Sequence, residues 1–368
     1  MTTPDPKQAR LSALRAALSE KKLEALLLTD IDNIGYVTGF TGSAAYAVVT
    51  ADKAVLITDS RYTLRAEEEC PYFESAISTS SGGYLETLAG VFQDRLSIST
   101  LGFEASDLRV SQYKKLKAGL PALRWTPTDS IVEDLRLVKD TTEVAVIRKA
   151  IGIAERAYQS IRPVLRAGVM ERDVAVELEY ALRKGGADAV AFEVIVASGE
   201  QGARPHHRPN ERVLQAGDFV TLDWGASVDG YNSDITRTVL IGPAEPTTEQ
   251  QKVYATVLQA QRAAIAAIAP EKTGKEIDAV ARDYIAARGY GEAFGHSLGH
   301  SLGRKVHDGP GLSTRSEKVI LKPGMVMTVE PGIYLPGWGG IRIEEDVVVT
   351  ETGCEVLTHL ANELEVIG

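Results

Sequence analysis

Apolar and polar positions recur with two different periods along this chain, and its first third mixes both. Amphipathic segments with a helical period alternate there with short apolar runs of strand length, which predicts a small α/β domain. The predicted helices cover residues 7–20, 84–92 and 111–118, and the predicted strands cover residues 25–28, 45–49 and 54–57.

In the remaining two thirds, two predicted helices are followed by strands, and this order occurs twice. Such a repeat predicts an α+β domain with an internal duplication. Weak support comes from Gly168 and Val174, which recur as Gly274 and Val280 at one spacing, and chance coincidence is the alternative. The predicted helices cover residues 143–164, 172–184, 249–268 and 277–287, and the predicted strands lie near residue 194 and at 219–239, 325–330 and 341–349.

The two patterns meet near residue 128. Pro121 and Pro127, on either side of Trp125, interrupt the regular pattern, because proline fixes φ and removes a backbone donor. A charged stretch follows, and a long amphipathic segment starts near Thr141. We therefore predict domains at residues 1–127 and 128–368.

Composition places the chain among ordinary globular proteins. Its 368 residues are 44% hydrophobic and 24% charged, enough for two buried cores. The net charge of −10 repels phosphate backbones and anionic lipids, which argues against nucleic acid and membrane partners. The first residues lack an apolar run of signal-peptide length, and Cys70 and Cys354 lie far apart. We expect a cytoplasmic protein with two reduced thiols.

Five side chains on apolar strand-like or turn-like segments are candidate metal ligands. Burying carboxylates without partners is unfavourable, so such acids need cations nearby. Four carboxylates carry about −4, which two divalent ions would balance. Oxygen ligands with one imidazole suit manganese, cobalt or zinc better than copper or an iron–sulfur cluster. The alternative is that each acid is a turn or cap residue or lies on a solvated strand face. The five are Asp223, Asp234, His300, Glu330 and Glu344.

Two overlapping Gly-x-Ser-x-Gly sequences, at residues 295–299 and 299–303, suggest a different enzyme class. This pattern marks the nucleophilic serine of many esterases, but it requires a buried strand directly before it. Residues 288–295 are glycine-rich and polar instead. A helical metal pair formed by His296 and His300 is a further alternative, although the surrounding glycines disfavour a helix.

Several short motifs give the chain a resemblance to a known family. They are Thr-Gly-Phe at residues 38–40, Thr-Asp-Ser-Arg-Tyr at 58–62, Ile-Val-Ala-Ser-Gly at 195–199 and Pro-His at 205–206, together with the five candidate ligands. With these, nearly the whole chain resembles the Xaa-Pro peptidases of the creatinase and methionine aminopeptidase superfamily, and prolidases most closely. The resemblance implies a creatinase/prolidase-like N-terminal domain and a catalytic domain with the pita-bread fold.

The resemblance also implies roles for the candidate residues. Asp223 would chelate one divalent metal ion, Asp234 and Glu344 would bridge two, and His300 and Glu330 would complete the second site. Manganese is the expected metal, with cobalt or zinc possible. Glu330, His206 and His307 would be catalytic, with Glu330 moving a proton and the histidines contacting the scissile carbonyl. The substrate-binding residues would be His206, His296, His307, Arg342 and Tyr231.

Arg342 has two interpretations. Two residues before Glu344, it could hold a substrate carboxylate with two hydrogen bonds, which would favour free dipeptides. It could equally form a structural ion pair with a nearby acid.

The chain departs from the family pattern around the pocket. Serine replaces the usual glycine at Ser301, Asp308 replaces a common glutamate, and Arg304 with Lys305 replaces a more apolar pair. His207 stands where glycine is common. None of these changes removes a ligand, so they bear on substrate preference.

The predicted function is therefore hydrolysis of Xaa-Pro bonds in small peptides with proline at the second position, with dipeptides as the expected substrates. Aminopeptidase P activity on longer peptides is the alternative, and a metal-free peptide-binding module is a more distant one. The family resemblance further implies a homodimer, in which the N-terminal domain lends a residue such as Arg61 or Tyr62 to a neighbour's pocket.

Overall fold

The computed structural model describes residues 5–78 and 83–368 of the chain. It divides into two compact units, of which the first ends at Arg136 and the second is Leu137–Gly368. Each unit has apolar cores of its own. Within the described residues, no helix combines the length and the apolar character needed to cross a bilayer.

A twisted mixed sheet is the centre of the first unit, and its strands lie in the order β4-β3-β2-β1-β5-β6. Strand β5 is parallel to its neighbours β1 and β6, whereas β2 is antiparallel to β1 and β3. The elements are α1 (Pro6–Glu20), β1 (Ala25–Leu28), α2 (Ile31–Thr38), β2 (Tyr46–Thr50), β3 (Ala54–Asp59), α3 (Thr63–Glu69), β4 (Glu74–Ser78), α4 (Gly83–Asp94), β5 (Thr100–Glu104), α5 (Val110–Gly119), β6 (Arg124–Thr128) and α6 (Ile131–Leu137).

The predicted helices and strands of this unit are confirmed, but helices α2, α3 and α6 and strands β4, β5 and β6 were not predicted. Helix α2 shows why, because most of its residues are buried and no polar face marks its period. Its ends are set locally instead. The Asp30 carboxylate accepts hydrogen bonds from the Asp32 and Asn33 amides, and Gly39 ends the helix with a φ of 84°.

The first unit extends past the predicted boundary near residue 128. Pro127 lies in β6, which is the edge strand of the sheet, where proline is tolerated. Helix α6 then packs Ile131 and Val132 into the core of this unit. The Arg136 Nη1 atom donates to Asn33 Oδ1 at 2.5 Å. The unit consequently ends at Arg136.

The second unit contains two helix pairs, each followed by strands. In the sheet that carries much of the site, β9 lies between β8 and β12 and is antiparallel to both. The elements are α7 (Thr141–Ile161), α8 (Glu171–Lys184), β7 (Ala189–Val190), β8 (Ile195–Ser198), β9 (Phe219–Trp224), β10 (Ala226–Val228), β11 (Tyr231–Asn232), β12 (Ile235–Ile241), α9 (Thr248–Ala267), α10 (Gly274–Ala286), β13 (Val326–Val329), β14 (Gly332–Leu335), β15 (Gly339–Arg342), β16 (Glu345–Val349), β17 (Cys354–Val356) and β18 (Val366–Ile367).

Each helix pair of the second unit packs mainly on strands of its own half. Helices α7 and α8 share an apolar core with β8, β9 and β12, while α9 and α10 share another with β13, β15 and β16. Capping boxes at Asp140, Thr247 and Thr273 start three of these helices. The predicted order of helices and strands is confirmed, whereas an origin by duplication stays a prediction.

Candidate metal centre

A cavity of about 620 Å³ in the second unit brings the candidate chemistry together. All five predicted metal ligands line it, although they lie up to 121 positions apart between Asp223 and Glu344. Asp234 and Glu344 are buried, and the other three are partly exposed to the cavity. The histidines and the arginine predicted to bind substrate also line its wall: His206, His296, His307 and Arg342.

Paired strands place the two aspartates and one glutamate. Asp223 lies on β9 directly opposite Thr236 of β12, and Asp234 immediately precedes β12. The Glu344 amide donates to the Thr236 carbonyl at 3.1 Å, and the Thr236 hydroxyl donates to Glu344 Oε2 at 2.6 Å. Thr236 therefore fixes both the backbone and the carboxylate of Glu344.

A second set of backbone pairings places His300 and Glu330. The Thr328 amide donates to the His300 carbonyl at 2.8 Å, and the Glu330 amide donates to the Leu298 carbonyl at 2.8 Å. His300 Nε2 consequently lies 3.5 Å from Asp234 Oδ2 and 3.4 Å from Glu330 Oε1. Asp234, His300 and Glu344 offer ligand atoms that all lie within 4.8 Å of one another.

The electrostatics of the site call for a cation. Burial raises the pKa of Asp234 well above its usual value, and the nearby negative charges of Asp223 and Asp346 raise it further. Burial likewise raises the pKa of Glu344, with Asp234 adding to the effect, and burial also raises the pKa of Glu330. These carboxylates face one another, and a bound divalent ion would relieve their repulsion.

One buried oxygen points to the same conclusion. Within the described residues, Asp223 Oδ1 is buried and has no hydrogen-bond partner. Unpaired buried acceptors are uncommon in folded proteins and need an explanation. A metal ligand is one, and the donor set of four carboxylates and one imidazole fits a hard or borderline divalent cation.

Arg342 forms an internal ion pair. Its Nη2 atom donates to Asp223 Oδ2 at 2.6 Å, its Nη1 atom to Tyr334 Oη at 2.8 Å, and its Nε atom to Thr236 Oγ1 at 3.2 Å. The guanidinium is thus occupied by protein acceptors. Of the two sequence interpretations, this geometry agrees with the structural ion pair.

A chain of hydrogen bonds continues from Arg342 to His296. Burial raises the pKa of Tyr334 to about 12, so this hydroxyl remains a donor, and it lies 2.9 Å from His296 Nε2. The Nδ1 atom of His296 lies 2.8 Å from the Ser297 carbonyl, which requires a proton on Nδ1. Burial lowers the pKa of His296 to about 4, so the imidazole is neutral.

The other two predicted histidines border the cavity differently. The His307 ring stands perpendicular to that of His300, with 4.0 Å between their centroids, and burial lowers the pKa of His307. His206 is exposed on the turn that follows Pro205. Both imidazoles border the cavity, and burial favours the neutral form of His307.

Tyr231 does not line this cavity. Its ring belongs to the apolar core of the second unit, and its hydroxyl donates to Glu143 Oε1 at 2.8 Å. The expectation that Tyr231 binds substrate is thus wrong for this arrangement. The residue is close to Asp234 in sequence, but β11 turns its side chain toward helix α7.

At most positions where the chain departs from the family pattern, the side chain contacts other protein groups. The Ser301 hydroxyl is buried and donates to the Pro310 carbonyl at 2.5 Å, which does not suit a nucleophile. Asp308 lies 3.6 Å from Lys139, and the Arg304 guanidinium lies over the Tyr231 ring. Isolated bridges and bends replace any helix around His300, so the helical His-x-x-x-His alternative is excluded.

Sequence reasoning missed several residues that hold the site. Tyr334 and Thr236 were overlooked, as was Asp346, whose Oδ2 atom accepts from the Asp234 amide at 3.1 Å. Asp278 and Arg282 were also overlooked, although Arg282 donates to the carbonyls of residues 294 and 296. For Asp346 a signal existed, because it continues the acidic run that begins at Glu344.

Two family models match the chain. The model of metallopeptidase family M24 matches residues 145–351, and that of the creatinase/prolidase N-terminal domain matches residues 10–138. A Xaa-Pro dipeptidase of Pyrococcus furiosus is 35% identical over 356 residues, which are 96% of this chain and 99% of that protein.

Solved structures of similar proteins extend the likeness to three dimensions. A Xaa-Pro dipeptidase from Bacillus anthracis has a TM-score of 0.94 and 41% identity, and the match covers 98% of this chain and all of the other. An X-Pro aminopeptidase from Thermotoga maritima has a TM-score of 0.89 and 40% identity, with 97% and 99% covered. The expected pita-bread fold of the catalytic half is thereby confirmed.

Proposed function

Because the chain belongs to metallopeptidase family M24, with a creatinase/prolidase N-terminal domain before the catalytic one, we propose that it hydrolyses Xaa-Pro bonds in small peptides. The observation that carries this proposal is the convergence of Asp223, Asp234, His300, Glu330 and Glu344 in one cavity. Similar proteins named as Xaa-Pro dipeptidases support the same substrate class.

In this proposal the five residues hold two divalent metal ions. All five would act as ligands, with Asp223 on the first ion, His300 and Glu330 on the second, and Asp234 and Glu344 shared between them. The mutual repulsion of the carboxylates and the unpaired Oδ1 atom of Asp223 support this assignment. We propose manganese as the metal, with cobalt or zinc as alternatives, since oxygen ligands with one imidazole suit all three.

When bound, two divalent cations supply a nucleophilic water near neutral pH and polarise the scissile carbonyl. The protein side chains supply the remaining functions. Glu330 faces the cavity and is oriented by the Thr328 hydroxyl at 3.3 Å, a position from which it can move a proton to the leaving nitrogen. His206 and His307 line the same cavity and would donate hydrogen bonds to the developing oxyanion.

The neutral His296 also contributes to substrate binding in this proposal. Because Tyr334 and the Ser297 carbonyl occupy both of its nitrogens, its ring is fixed and presents an edge and a face. The face of a fixed, uncharged ring whose nitrogens are both hydrogen-bonded is a suitable wall for the proline ring of the substrate. Proline also explains the need for a dedicated enzyme, because the Xaa-Pro bond is a tertiary amide of restricted geometry.

Dipeptides are the proposed substrates, and aminopeptidase P activity is the second candidate. The names of the Bacillus and Pyrococcus relatives favour dipeptides, whereas that of the Thermotoga relative favours longer peptides. The internal ion pair of Arg342 with Asp223 removes one argument for a carboxylate clamp. The choice therefore depends on experiment.

We further propose a cytoplasmic homodimer. The free thiols of Cys70 and Cys354 agree with a reducing compartment. In the dimer, the first unit would support association and form part of the rim of a neighbour's pocket, for example through Arg61 or Tyr62. Full activity of a monomer at high dilution would contradict this arrangement.

The test of the proposed function is release of free proline from a Xaa-Pro dipeptide, in parallel with cleavage of a Xaa-Pro-Xaa tripeptide. Each assay is run on the protein as purified, after chelation, and after manganese is added back. We expect chelation to abolish activity and manganese to restore it. Cleavage of the dipeptide alone identifies a dipeptidase, efficient cleavage of the tripeptide identifies an aminopeptidase P, and indifference to chelation contradicts the metal mechanism.

A further inference from the structure

Two consecutive histidines on one turn have opposite environments. His206 is exposed, whereas His207 is only 6% exposed, although both border the cavity. Their side chains therefore serve different purposes, although the sequence presents them as a pair. The family resemblance had assigned His206 to the reaction and left His207 as a change at the pocket rim.

His207 is bound to a buried carboxylate behind the turn. Its Nε2 atom lies 2.8 Å from Glu171 Oε2, and the side chain of Glu171 is fully buried at the first position of α8. The backbone of the turn closes on itself as well, since the His207 amide donates to the Arg204 carbonyl at 3.1 Å. The imidazole of His207 thus ties the turn to helix α8.

Glu171 is itself held from several sides, so it is a rigid anchor. Its Oε1 atom accepts from the Ser198 amide at 2.8 Å and from the Ser198 hydroxyl at 2.6 Å. Its Oε2 atom also accepts from the Asn210 amide at 3.3 Å. The Arg212 guanidinium, which donates to the Ser198 hydroxyl, places a positive charge beside this network.

The ring of His206 has no comparable support. Within the described residues, the structure contains no hydrogen bond to either nitrogen of this ring. Its position therefore depends on the backbone turn. That turn is held on one side by Arg342, whose Nη1 atom donates to the Pro205 carbonyl at 3.3 Å, and on the other side by His207.

We infer that His207, bound to Glu171, is a positioning residue that holds His206 at the reacting carbonyl. This inference rests on the proposed function, because it assigns His207 an effect on turnover through His206. It also gives His207 a role beyond a change at the pocket rim, because its buried imidazole fixes the turn. Small displacements of a catalytic group are enough to lower a rate substantially.

A double-mutant cycle tests the inference. We expect His207→Ala to lower kcat for proline release by about 10-fold to 100-fold while metal content stays unchanged. In a His206→Ala background the same change should lower kcat by less than about twofold, because the residue through which it acts is gone. His207→Gln retains an N–H donor that can reach Glu171, and we expect it to recover most of the rate.

His359→Ala is the matched control, since His359 is an exposed histidine outside the cavity. If His207→Ala does not fold, His207→Asn replaces it, because asparagine is polar but too short to reach Glu171. A wild-type rate in either variant overturns the inference. The inference is also overturned if His207→Ala lowers kcat by the same factor in the presence and absence of His206.

A second readout separates this inference from the proposed function. The Cε1–H resonance of His206 in the NMR spectrum reports the environment of its ring without any turnover. We expect His207→Ala to shift this resonance, and His359→Ala to leave it unchanged. An inactive wild-type protein would contradict the proposed function, whereas an unshifted His206 resonance would contradict the positioning role.

Discussion

Glu171 and Glu344 are both buried carboxylates of the second unit, yet their surroundings differ. Glu171 accepts hydrogen bonds from backbone and side-chain donors and lies beside two cationic or protonatable groups. Glu344 accepts from the Thr236 hydroxyl, but its other neighbours include Asp234, and this repulsion raises its pKa. A carboxylate satisfied by protein donors stabilises the fold, whereas carboxylates that face one another need a cation from outside.

Glu344 and Glu345, which are adjacent in sequence, show the same difference in surroundings. Glu345 pairs with Arg237 at 2.9 Å and accepts from the Thr358 hydroxyl, on the opposite side of β16 from the cavity. Glu344 points toward the other acids. Consecutive residues of an extended segment point to opposite faces, so one acid can be structural and the next a metal ligand.

The largest expected effect comes from removing an acid of the cavity. Asp234→Ala should lower kcat/KM by at least about 10³-fold, more than the loss of a single transition-state donor. The physical reason is that the proposed bridge between both metals disappears. The measurements are proline release and metal content by mass spectrometry. Glu245→Ala, at an exposed loop position, is the control that should retain both.

Manganese addition sharpens this result. Metal that binds only the folded state raises the free energy of unfolding by about 2.7 kcal/mol at one hundred times its dissociation constant. The metal-free wild-type protein should therefore melt at a higher temperature when manganese is added, and Asp234→Ala should not. Full metal occupancy with normal turnover in Asp234→Ala would contradict the ligand assignment.

A smaller effect is expected from changing Glu171, and it should fall on stability and leave metal binding intact. Glu171→Leu should lower the free energy of unfolding by about 3 kcal/mol, because it leaves several buried donors without an acceptor. Metal content should nevertheless persist, since Glu171 contacts none of the five proposed ligands in the described structure. Urea denaturation and metal analysis measure the two quantities. Glu177→Leu, an exposed position on the same helix, is the control.

The comparison of the two kinds of acid fails if Glu171→Leu loses its metal as completely as Asp234→Ala does. It also fails if Asp234→Ala destabilises the metal-free protein as strongly as Glu171→Leu. In the first case the network behind the turn would be part of the metal site. In the second case the cavity acids would be structural groups.

How much of this the sequence could predict depends on the range of the interactions. The four acids and His300 were identifiable because polar residues in apolar segments are conspicuous, and the structure brings all five residues to one cavity. Partners could not be assigned. Nothing in sequence places Glu171 beside His207, 36 positions away, or Thr236 beside Glu344. The resemblance implied a substrate-binding role for Tyr231, but local sequence does not show that its hydroxyl contacts Glu143, 88 positions away.

The fold shows the same limit. Helices with a polar and an apolar face were predicted, as were the strands around the site. Helix α2 was missed because it is buried on most sides, and the domain boundary was set too early because Pro127 lies in an edge strand. Edge position and burial on all sides are properties of the assembled sheet, so local periodicity does not contain them.

The smallest expected effect concerns Arg342, which contacts both a proposed metal ligand and groups that belong only to the fold. It neutralises Asp223 on the cavity side and holds Tyr334 and the Pro205 carbonyl on the other. Arg342→Lys keeps the positive charge but loses the forked geometry, so we expect a loss of about 10-fold in kcat/KM with the metal retained.

The pattern of that loss decides between the two interpretations of Arg342. An internal ion pair acts before the substrate arrives, so Arg342→Lys should lower kcat by a similar factor for a Xaa-Pro dipeptide and a Xaa-Pro-Xaa tripeptide. A clamp on the proline carboxylate would instead raise KM for the dipeptide alone, because in the tripeptide that carboxyl group is an amide. A KM effect confined to the dipeptide would show that Arg342 leaves Asp223 when substrate binds. Asp223 would then need the metal as its replacement partner. It would change from an acid paired with a protein cation to an acid paired with the metal during the reaction.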